Sequence, residues 1–380
     1  MKAILLKSSI LPVLNRLQGI TGRKTNLAIT TNVLIKARNG NVTVVATDLE
    51  TSFTGIYAAQ IENEGSVLLN ARKFFEIVRE FPQEEIHISN EDNSTSRITI
   101  GNGVGSGSGK IEYSLVCMEL DEFPTVTDVE NLTFFEMDAA ALSKIIERSI
   151  VINGSADERR VHIVGAELEL FEEGDHSVFR MVSTDGSRLS VCDYTSENKD
   201  LQLQEPVIIS KKSLSEVNKF LDGGEVVKVA VKGSDFIVKI EAETIIIKLM
   251  EGNFPAYRPI VERSENATDV KLNRANFLNI LKRLLILSSD SYRGALFDFG
   301  DNVLTVKSNN PDIGESTESL EIEYSGQPLQ VMFNPRFLIE TINLIEEDDV
   351  YISLVNGEMP CLIRGAGDDK YVTVTMPMRI

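Results

Sequence analysis

The sequence predicts an α+β fold made of three similar domains in tandem. A strand–helix–strands pattern recurs along the whole chain, and the Phe-Pro pair at 123–124 returns at 254–255. At 380 residues the chain has room for two or three domains of ordinary size. Copies of roughly 130 residues are also too long to be solenoid repeats of about 20–50 residues. We therefore predict similar domains at 1–128, 129–262 and 263–380.

The composition indicates a globular cytoplasmic protein without a membrane segment. Hydrophobic residues make up 42% and charged residues 25% of the chain, the ordinary range for a globular fold. The formal net charge of −19 argues against a uniformly basic nucleic-acid binder and against attraction to anionic membranes, unless the charges are segregated. The cysteines at 117, 192 and 361 are few and far apart, which favours free thiols in a reducing compartment. Lys7 interrupts the apolar start, and no run approaches the roughly 18 apolar residues of a membrane span.

The elements of each copy follow from periodicity and turn residues. Ser8 or Ser9 is expected to cap the first helix, with Pro12 in its first turn. The Asn39-Gly40 pair predicts a tight turn between two strands. The segment GNGVGSGSGK fits neither of the glycine-rich phosphate-binding motifs, G-x-G-x-x-G and G-x-x-x-x-G-K-[ST]. It therefore predicts a hairpin tip. Helices are predicted at 7–18, 71–81, 138–149, 211–221, 273–287 and 335–345.

The segment VFRMVSTDGSRLSV at 178–191 predicts a hairpin whose turn begins at Thr184-Asp185. The first copy carries a similar Thr47-Asp48 pair. The second copy differs because an arginine, Arg188, leaves the turn between apolar flanks.

Positive charge is concentrated on the predicted helices. No acidic residue occurs in the first 47 positions, and the six helices together carry a charge of +8 although the chain carries −19. A surface shared by these helices would be basic and suited to sequence-independent phosphate contact. Two chains would supply twelve helices, each about 10 Å across, which side by side enclose an opening roughly 28 Å wide. Such an opening admits a DNA duplex.

The chain resembles, over its full length, the family of the bacterial DNA polymerase III β subunit, the replicative sliding clamp. The resemblance rests on ARKFFEIVREFP, TDGSRLSV, EGNFPAYRP, YRGALFDF, SNNP and the terminal MPMRI, in this order. It implies the DNA clamp fold, with helices lining the inner face and antiparallel sheets forming the outer wall of a ring-shaped head-to-tail homodimer. The ring would encircle double-stranded DNA without sequence specificity, have no catalytic residues and need no cofactor or metal. Implied partners are a clamp loader, the replicative and other DNA polymerases, and repair proteins that dock through short linear motifs.

By this resemblance, a set of cations is expected to contact DNA. They are Arg23, Arg72, Lys73, Arg79, Arg160, Lys211, Lys212 and Arg293.

By the same resemblance, partner peptides with Leu and Phe anchors are expected to dock in an apolar pocket between the second and third domains. Matching positions are Ile163, Thr184, Gly186, Ser187, Arg188, Leu189, Pro255, Ile260, Asn334, Phe337, Cys361, Val374, Met376, Pro377, Met378, Arg379 and Ile380. Four departures stand out: Ser187 where relatives often carry His, Cys361 where they often carry Ser, Pro259 where Arg is common, and Val161-His162 in place of an aromatic pair.

The dimer junction is likewise expected to join the first domain of one chain to the third domain of the other. Its residues would be Tyr113 and Leu115 against Ile286 and Leu287, with Lys73 and Lys110 facing Glu315 and Glu318.

Two other classes of function stay open on the residues alone. An enzyme would have to rely on carboxylates, because His87, His162 and His176 lack metal-ligand spacing and no Cys-x-x-Cys, His-Glu-x-x-His or Gly-x-Ser-x-Gly motif occurs. The other alternative is a structural repeat protein whose basic helices contact an acidic protein partner.

Overall fold

The computed structural model describes residues 1–22, 28–90, 97–103, 109–127, 129, 132–152, 160–197, 203, 205–221, 226–289 and 293–379. Arg23, Ile380 and the middle of the GNGVGSGSGK segment lie outside these residues. Within the described ranges, no helix is long and apolar enough to cross a bilayer.

The elements up to residue 127 alternate short strands with two helices. The strands are β1 (Lys2–Leu6), β2 (Asn32–Arg38), β3 (Asn41–Thr47), β4 (Thr51–Ala58), β5 (Gln60–Asn63), β6 (Gly65–Asn70), β7 (Glu85–Ser89), β8 (Arg97–Gly101) and β9 (Glu112–Met118). The helices are α1 (Lys7–Thr21) and α2 (Ala71–Glu80).

The elements from residue 132 to 261 repeat this layout and add two single-turn helices. The strands are β10 (Phe135–Asp138), β11 (Gly165–Glu173), β12 (His176–Thr184), β13 (Arg188–Ser196), β14 (Val207–Ser210), β15 (Val226–Lys232), β16 (Asp235–Ile240) and β17 (Glu243–Lys248). The helices are α3 (Ala139–Ile150), α4 (Val161–Val164), α5 (Lys211–Asn218) and α6 (Arg258–Val261).

The last part of the chain repeats the layout a third time. Its strands are β18 (Thr268–Asn273), β19 (Ala295–Gly300), β20 (Val303–Asn310), β21 (Gly314–Glu321), β22 (Leu329–Phe333), β23 (Asp349–Leu354), β24 (Cys361–Gly365) and β25 (Tyr371–Thr375). Its helices are α7 (Arg274–Leu284), continued by a 3₁₀ turn at Leu285–Leu287, and α8 (Pro335–Ile342). All six predicted helices are therefore confirmed, whereas α4 and α6 have no periodic signal because they are single turns.

The predicted start of α1 is wrong in its details. The helix begins at Lys7, and Leu6 occupies the cap position without a side-chain cap. A distant residue replaces the local cap, because the Lys7 and Ser8 amides donate to the backbone and the carboxylate of Glu84. Pro12 consequently lies in the second turn of the helix, where it removes one backbone donor.

The first compact unit comprises Met1–Leu142 and Ser213–Leu249. Its described strands form one antiparallel sheet in the order β10-β15-β16-β17-β4-β3-β2-β6-β9-β8-β7-β1-β5. The sheet passes from the second copy into the first where β17 pairs with β4, with Ile245 opposite Phe53. Asn39 and Gly40 form the predicted turn, both with positive φ. Arg16 ties α1 to β17 through a 2.6 Å ion pair with Glu243.

The second compact unit comprises Ser143–Lys212 and Met250–Ile380. Its larger described sheet has the order β14-β11-β12-β13-β25-β24-β23-β18, and its smaller sheet has the order β21-β20-β19-β22. The larger sheet joins the second copy to the third where β13 pairs with β25, with Leu189 opposite Val374. This pairing brings the 178–191 hairpin beside the C-terminal strand.

Replacing Phe53 with alanine tests the packing of the first unit. Phe53 is fully buried, and its ring stacks on Phe220 with centroids 5.0 Å apart. We expect Phe53→Ala to lower the free energy of unfolding by about 3–5 kcal/mol, since a cavity remains. Urea titration followed by circular dichroism measures the change. Ile56→Ala, on the same strand but 48% exposed, should cost far less, and equal losses would contradict this packing.

Candidate functional site

The turn at Thr184–Arg188 is fixed by side chains of its own sequence. The Asp185 carboxylate accepts hydrogen bonds from the Ser187 and Arg188 amides at 2.9 and 3.0 Å. The Thr184 hydroxyl donates to the Arg188 carbonyl and accepts from the Gly186 amide. Gly186 has a φ of 89°, a conformation that glycine adopts at little cost. The predicted hairpin is thus confirmed, and its turn is held by local hydrogen bonds.

The first copy contains the same turn at Thr47–Thr51. The Asp48 carboxylate accepts from the Glu50 and Thr51 amides, and the Leu49 amide donates to the Thr47 hydroxyl. Leu49 takes a φ of 79° at the position that corresponds to Gly186. The two turns therefore have the same backbone conformation. They differ in the side chain at the last position of the turn, which is Thr51 in the first copy and Arg188 in the second.

The Arg188 side chain, at the last position of the second turn, connects this turn to α8. Its guanidinium forms ion pairs of 2.9 Å with Asp185 and 2.7 Å with Glu340. The guanidinium carbon also lies 4.3 Å from the centroid of the Phe337 ring, a cation–π geometry. Arg188 is buried, so its charge holds α8 against the turn rather than facing solvent.

The backbone of the C-terminal residues is hydrogen-bonded to two other segments of the chain. The Met376 amide donates to the Ser187 carbonyl at 2.8 Å, and the Met378 amide donates to the Met332 carbonyl at 2.7 Å. The chain after β25 therefore passes from the turn to β22. These two bonds fix its backbone, while the Met376 side chain stays 39% exposed.

The predicted pocket positions divide into a buried layer and a surface. We call the positions that solvent reaches the docking surface, after the peptide docking that is predicted for them: Gly186, Ser187, Pro255, Ile260, Phe337, Met376, Pro377, Met378 and Arg379. Ile163, Thr184, Arg188, Leu189, Asn334 and Val374 are buried beneath it. Leu189 and Val374 belong to one apolar cluster with Val182, Val191 and Tyr257. These two residues therefore support the surface from below instead of lining it.

The prediction that Cys361 lines the pocket is wrong. Its side chain is completely buried in β24, opposite Thr375 of β25. Burial also raises the pKa of the Cys361 thiol. The thiol is therefore shielded from the surface, and a Cys in place of the Ser expected from the resemblance concerns the interior.

Several residues of this region were missed by sequence reasoning. Phe254 and Val261, on either side of Pro255 and Ile260, pack against the apolar cluster and so hold these two residues at the surface. Beside the docking surface lies an open cleft of about 1120 Å³ lined by Val151, Arg188, Leu285, Ser288, Ser289, Arg293, Asn334, Arg336, Phe337 and Glu340. Arg336 and Glu340, which also line this cleft, form a 3.0 Å ion pair at i,i+4 spacing, a pattern that the sequence already contains.

The predicted DNA-contacting cations have two different environments. Arg72, Lys73, Arg79, Arg160, Lys212 and Arg293 are exposed. The prediction for Lys211 requires correction, because its side chain is buried. Its ammonium donates to the carbonyls of Ile152, Ile163 and Thr184 at 2.6, 2.7 and 3.0 Å. An ammonium has three donors, so none is left for a phosphate.

The exposed cations of α2 are paired with acids of the same helix. Arg72 and Lys73 both bind Glu76, at 3.1 and 2.8 Å, and Arg79 binds Glu80 at 2.8 Å. The hydrogen bonds from Lys73 and then Arg72 lower the pKa of Glu76. Exposed pairs of this kind contribute little to stability, so a phosphate can replace the carboxylate at small cost.

Of the residues predicted for the dimer junction, Tyr113 and Leu115 lie on β9 and Glu315 and Glu318 on β21, whereas Ile286 and Leu287 lie in the 3₁₀ turn after α7. Residues Glu112–Val116 of β9 pair with β8, while among the described residues the other edge of β9 pairs with β6 only at Cys117 and Met118. Strand β21 is the edge of its described sheet. Tyr113 is 43% and Ile286 73% exposed in the single chain. Glu318 already pairs with Arg283, at 2.5 Å.

Comparison with protein families gives one consistent result. The models for the N-terminal, central and C-terminal domains of the DNA polymerase III beta subunit match residues 1–127, 136–256 and 263–379. The three matches follow the order of the predicted copies and cover almost the whole chain. The chain belongs to the DNA polymerase III beta subunit family.

Individual relatives and solved structures agree with this assignment. The chain is 26% identical to the beta sliding clamp of Vibrio cholerae and 27% identical to that of Escherichia coli K12, in each case over 100% of both chains. The sliding clamp of Bartonella birtlesii bound to griselimycin superposes with a TM-score of 0.90 at 26% identity, over 100% of both chains. The three-domain clamp fold is therefore confirmed, and the function is that of a DNA polymerase processivity clamp. Members of this family are non-catalytic processivity factors.

Thiol labelling tests the position of Cys361. In a Cys117→Ser, Cys192→Ser background, Cys361 is the remaining thiol, and we expect a maleimide to label it only after unfolding in urea. Adding Met376→Cys and Cys361→Ser to the same background should give a thiol that reacts in the native state, since Met376 is exposed. Rapid native labelling of Cys361 would place it at the surface after all.

Proposed function

We propose that two copies of this chain form a ring-shaped head-to-tail homodimer that encircles duplex DNA without reading sequence. The ring tethers the replicative polymerase and other partners, acts in the cytoplasm and has no catalytic residues. Each chain would contribute domains at 1–128, 129–262 and 263–380. The observation that carries the tethering function is the docking surface, where the 184–188 turn and the C-terminal residues are fixed side by side.

The docking surface suits a short peptide with apolar anchors. Ile260, Pro255 and the methionines offer apolar contact, and Ser187 and Arg379 offer polar groups at the edge. Methionine side chains adapt to different shapes, which favours the binding of several partners at one site. We infer that the clamp loader, polymerases and repair proteins reach the ring through such motifs. Tethering raises their effective concentration at the primer end.

The exposed cations Arg72, Lys73, Arg79, Arg160, Lys212 and Arg293, together with Arg23, would contact the phosphates. Because each contact releases counterions, binding should weaken steeply with salt. The contacts carry no base-specific readout, which a sliding protein requires.

The two strand edges support the head-to-tail contact. An unpaired edge exposes backbone donors and acceptors that another strand can use. Strand β9 of one chain and β21 of its partner would continue a sheet across the junction. Tyr113, Leu115, Ile286 and Leu287 would supply apolar contact, with Lys73 and Lys110 near Glu315 and Glu318. The intrachain Arg283–Glu318 pair would have to share its carboxylate there.

Retention on circular DNA tests encirclement. Protein placed on nicked circular DNA by a clamp loader is expected to stay bound in high salt, because a closed ring cannot leave a circle. After the circle is linearised, the protein should slide off the ends, as gel filtration of the DNA fraction would detect. Equal retention on circular and linear DNA would contradict the ring, as would a monomer at micromolar concentration.

Removal of the C-terminal residues tests the docking surface. Deleting residues 376–380 removes the backbone bonds to Ser187 and Met332 and the exposed apolar side chains. We expect the truncated protein to lose binding of a synthetic peptide with Leu and Phe anchors, measured by fluorescence anisotropy. It should remain dimeric by sedimentation. Dissociation to monomers would instead assign these residues to the dimer junction.

A further inference from the structure

Lys211 connects three segments of the chain through one buried charge. The acceptors of its ammonium are the carbonyls of Ile152 after α3, Ile163 in α4 and Thr184 at the end of β12. Thr184 begins the turn that carries Gly186 and Ser187, and the Ser187 carbonyl in turn holds the Met376 amide. Hydrogen bonds at both ends of the Thr184–Ser187 turn therefore connect Lys211 to the docking surface.

Retention of a charge in this interior position is energetically unfavourable. Burial lowers the pKa of Lys211 to about 8 from its ordinary value of 10.5; Asp185 opposes this shift, and Arg188 adds to it. An apolar side chain would avoid the cost of burial but would leave three carbonyls without a donor. A neutral amine has two donors and also leaves one carbonyl unpaired. The charged form alone satisfies all three carbonyls.

We propose that Lys211 is a positioning residue for partner binding, because its ammonium holds the turn and α4 in the arrangement that the docking surface requires. This inference rests on the proposed docking function. Lys211 does not touch the partner. It acts through Thr184 and Ile163, and from there through Ser187 on the start of the C-terminal residues.

A matched pair of variants separates this role from a general effect of charge. Lys211→Met removes the three donors at nearly constant shape, and Lys212→Met removes the same charge from the exposed neighbouring residue. We expect Lys211→Met to bind the Leu- and Phe-containing peptide roughly tenfold more weakly, about the effect of one unpaired buried carbonyl. Lys212→Met should bind the peptide as the wild-type chain does and lose salt-sensitive DNA contact instead. Hydrogen exchange at 185–188 should be faster in Lys211→Met alone.

The pH dependence of peptide binding by the wild-type chain gives a second test, which does not depend on whether a substituted protein folds. The probe is an acetylated, amidated peptide without Lys, Cys, Tyr or His. Its affinity should fall as the pH rises through about 8, because deprotonation removes a donor. Over the same window the unfolded chain binds more protons than the folded chain at Lys211, so this group's contribution to stability rises with pH. Loss of affinity without loss of stability is therefore the signature of positioning.

The charged groups that act on Lys211 are Asp185 and Arg188, and His162 adjoins Ile163 in α4. A His162→Gln variant should keep the wild-type pH profile, while a folded Lys211→Met variant should show a flat one. Unchanged peptide affinity in Lys211→Met, or equal weakening in Lys212→Met, would overturn the inference about Lys211 and leave the proposed docking function standing. A wild-type chain that binds no such peptide at any pH would overturn the proposed docking function as well.

Discussion

The carboxylate of Asp185 is the contact on which the docking surface depends. It accepts hydrogen bonds from two backbone amides of its own turn and forms an ion pair with the Arg188 guanidinium. Arg188 then binds Glu340 and covers Phe337, which sets the distance between the turn and α8. Charge-assisted hydrogen bonds in a buried setting are strong and directional. These contacts hold the short loop in the conformation that presents the Ser187 carbonyl to the Met376 amide.

The comparison between the first two repeats shows how their turns differ. The turns at Thr47–Thr51 and Thr184–Arg188 share their hydrogen bonds, so the backbone is a property of the repeat. At the last position the first copy has Thr51, whose hydroxyl donates to Ser213, and the second has Arg188. The threonine hydroxyl makes one hydrogen bond, to Ser213 of α5, whereas the Arg188 guanidinium pairs with both Asp185 of its own turn and Glu340 of α8. This one residue distinguishes the two turns, and the turn that carries Arg188 is the one assigned to the proposed docking site.

The sequence predicted the fold well because its main signals are local and repeated. Six amphipathic helices, the Asn39-Gly40 turn and the 178–191 hairpin depend on neighbouring residues, and each is present. The errors lie where distant residues decide. Glu84 replaces the expected Ser cap of α1, and strand pairing encloses Cys361. Lys211 and Lys212 are indistinguishable in sequence, yet one satisfies three carbonyls and the other faces solvent. Helical phase alone could not reveal that difference, because carbonyls of three separate segments create it.

The placement of charge also bears on how an acidic chain can slide on DNA. Of the cations predicted to contact phosphates, Arg72, Lys73 and Arg79 are exposed and paired with carboxylates of their own helix. Such pairs exchange partners at low cost, so under the proposed DNA contact no single phosphate would become a deep minimum along the duplex. The net charge of −19 lowers the total attraction further. A protein retained by encirclement does not need affinity to stay bound. Weak, interchangeable contacts then favour movement, whereas an affinity-based binder with the same cations would dissociate.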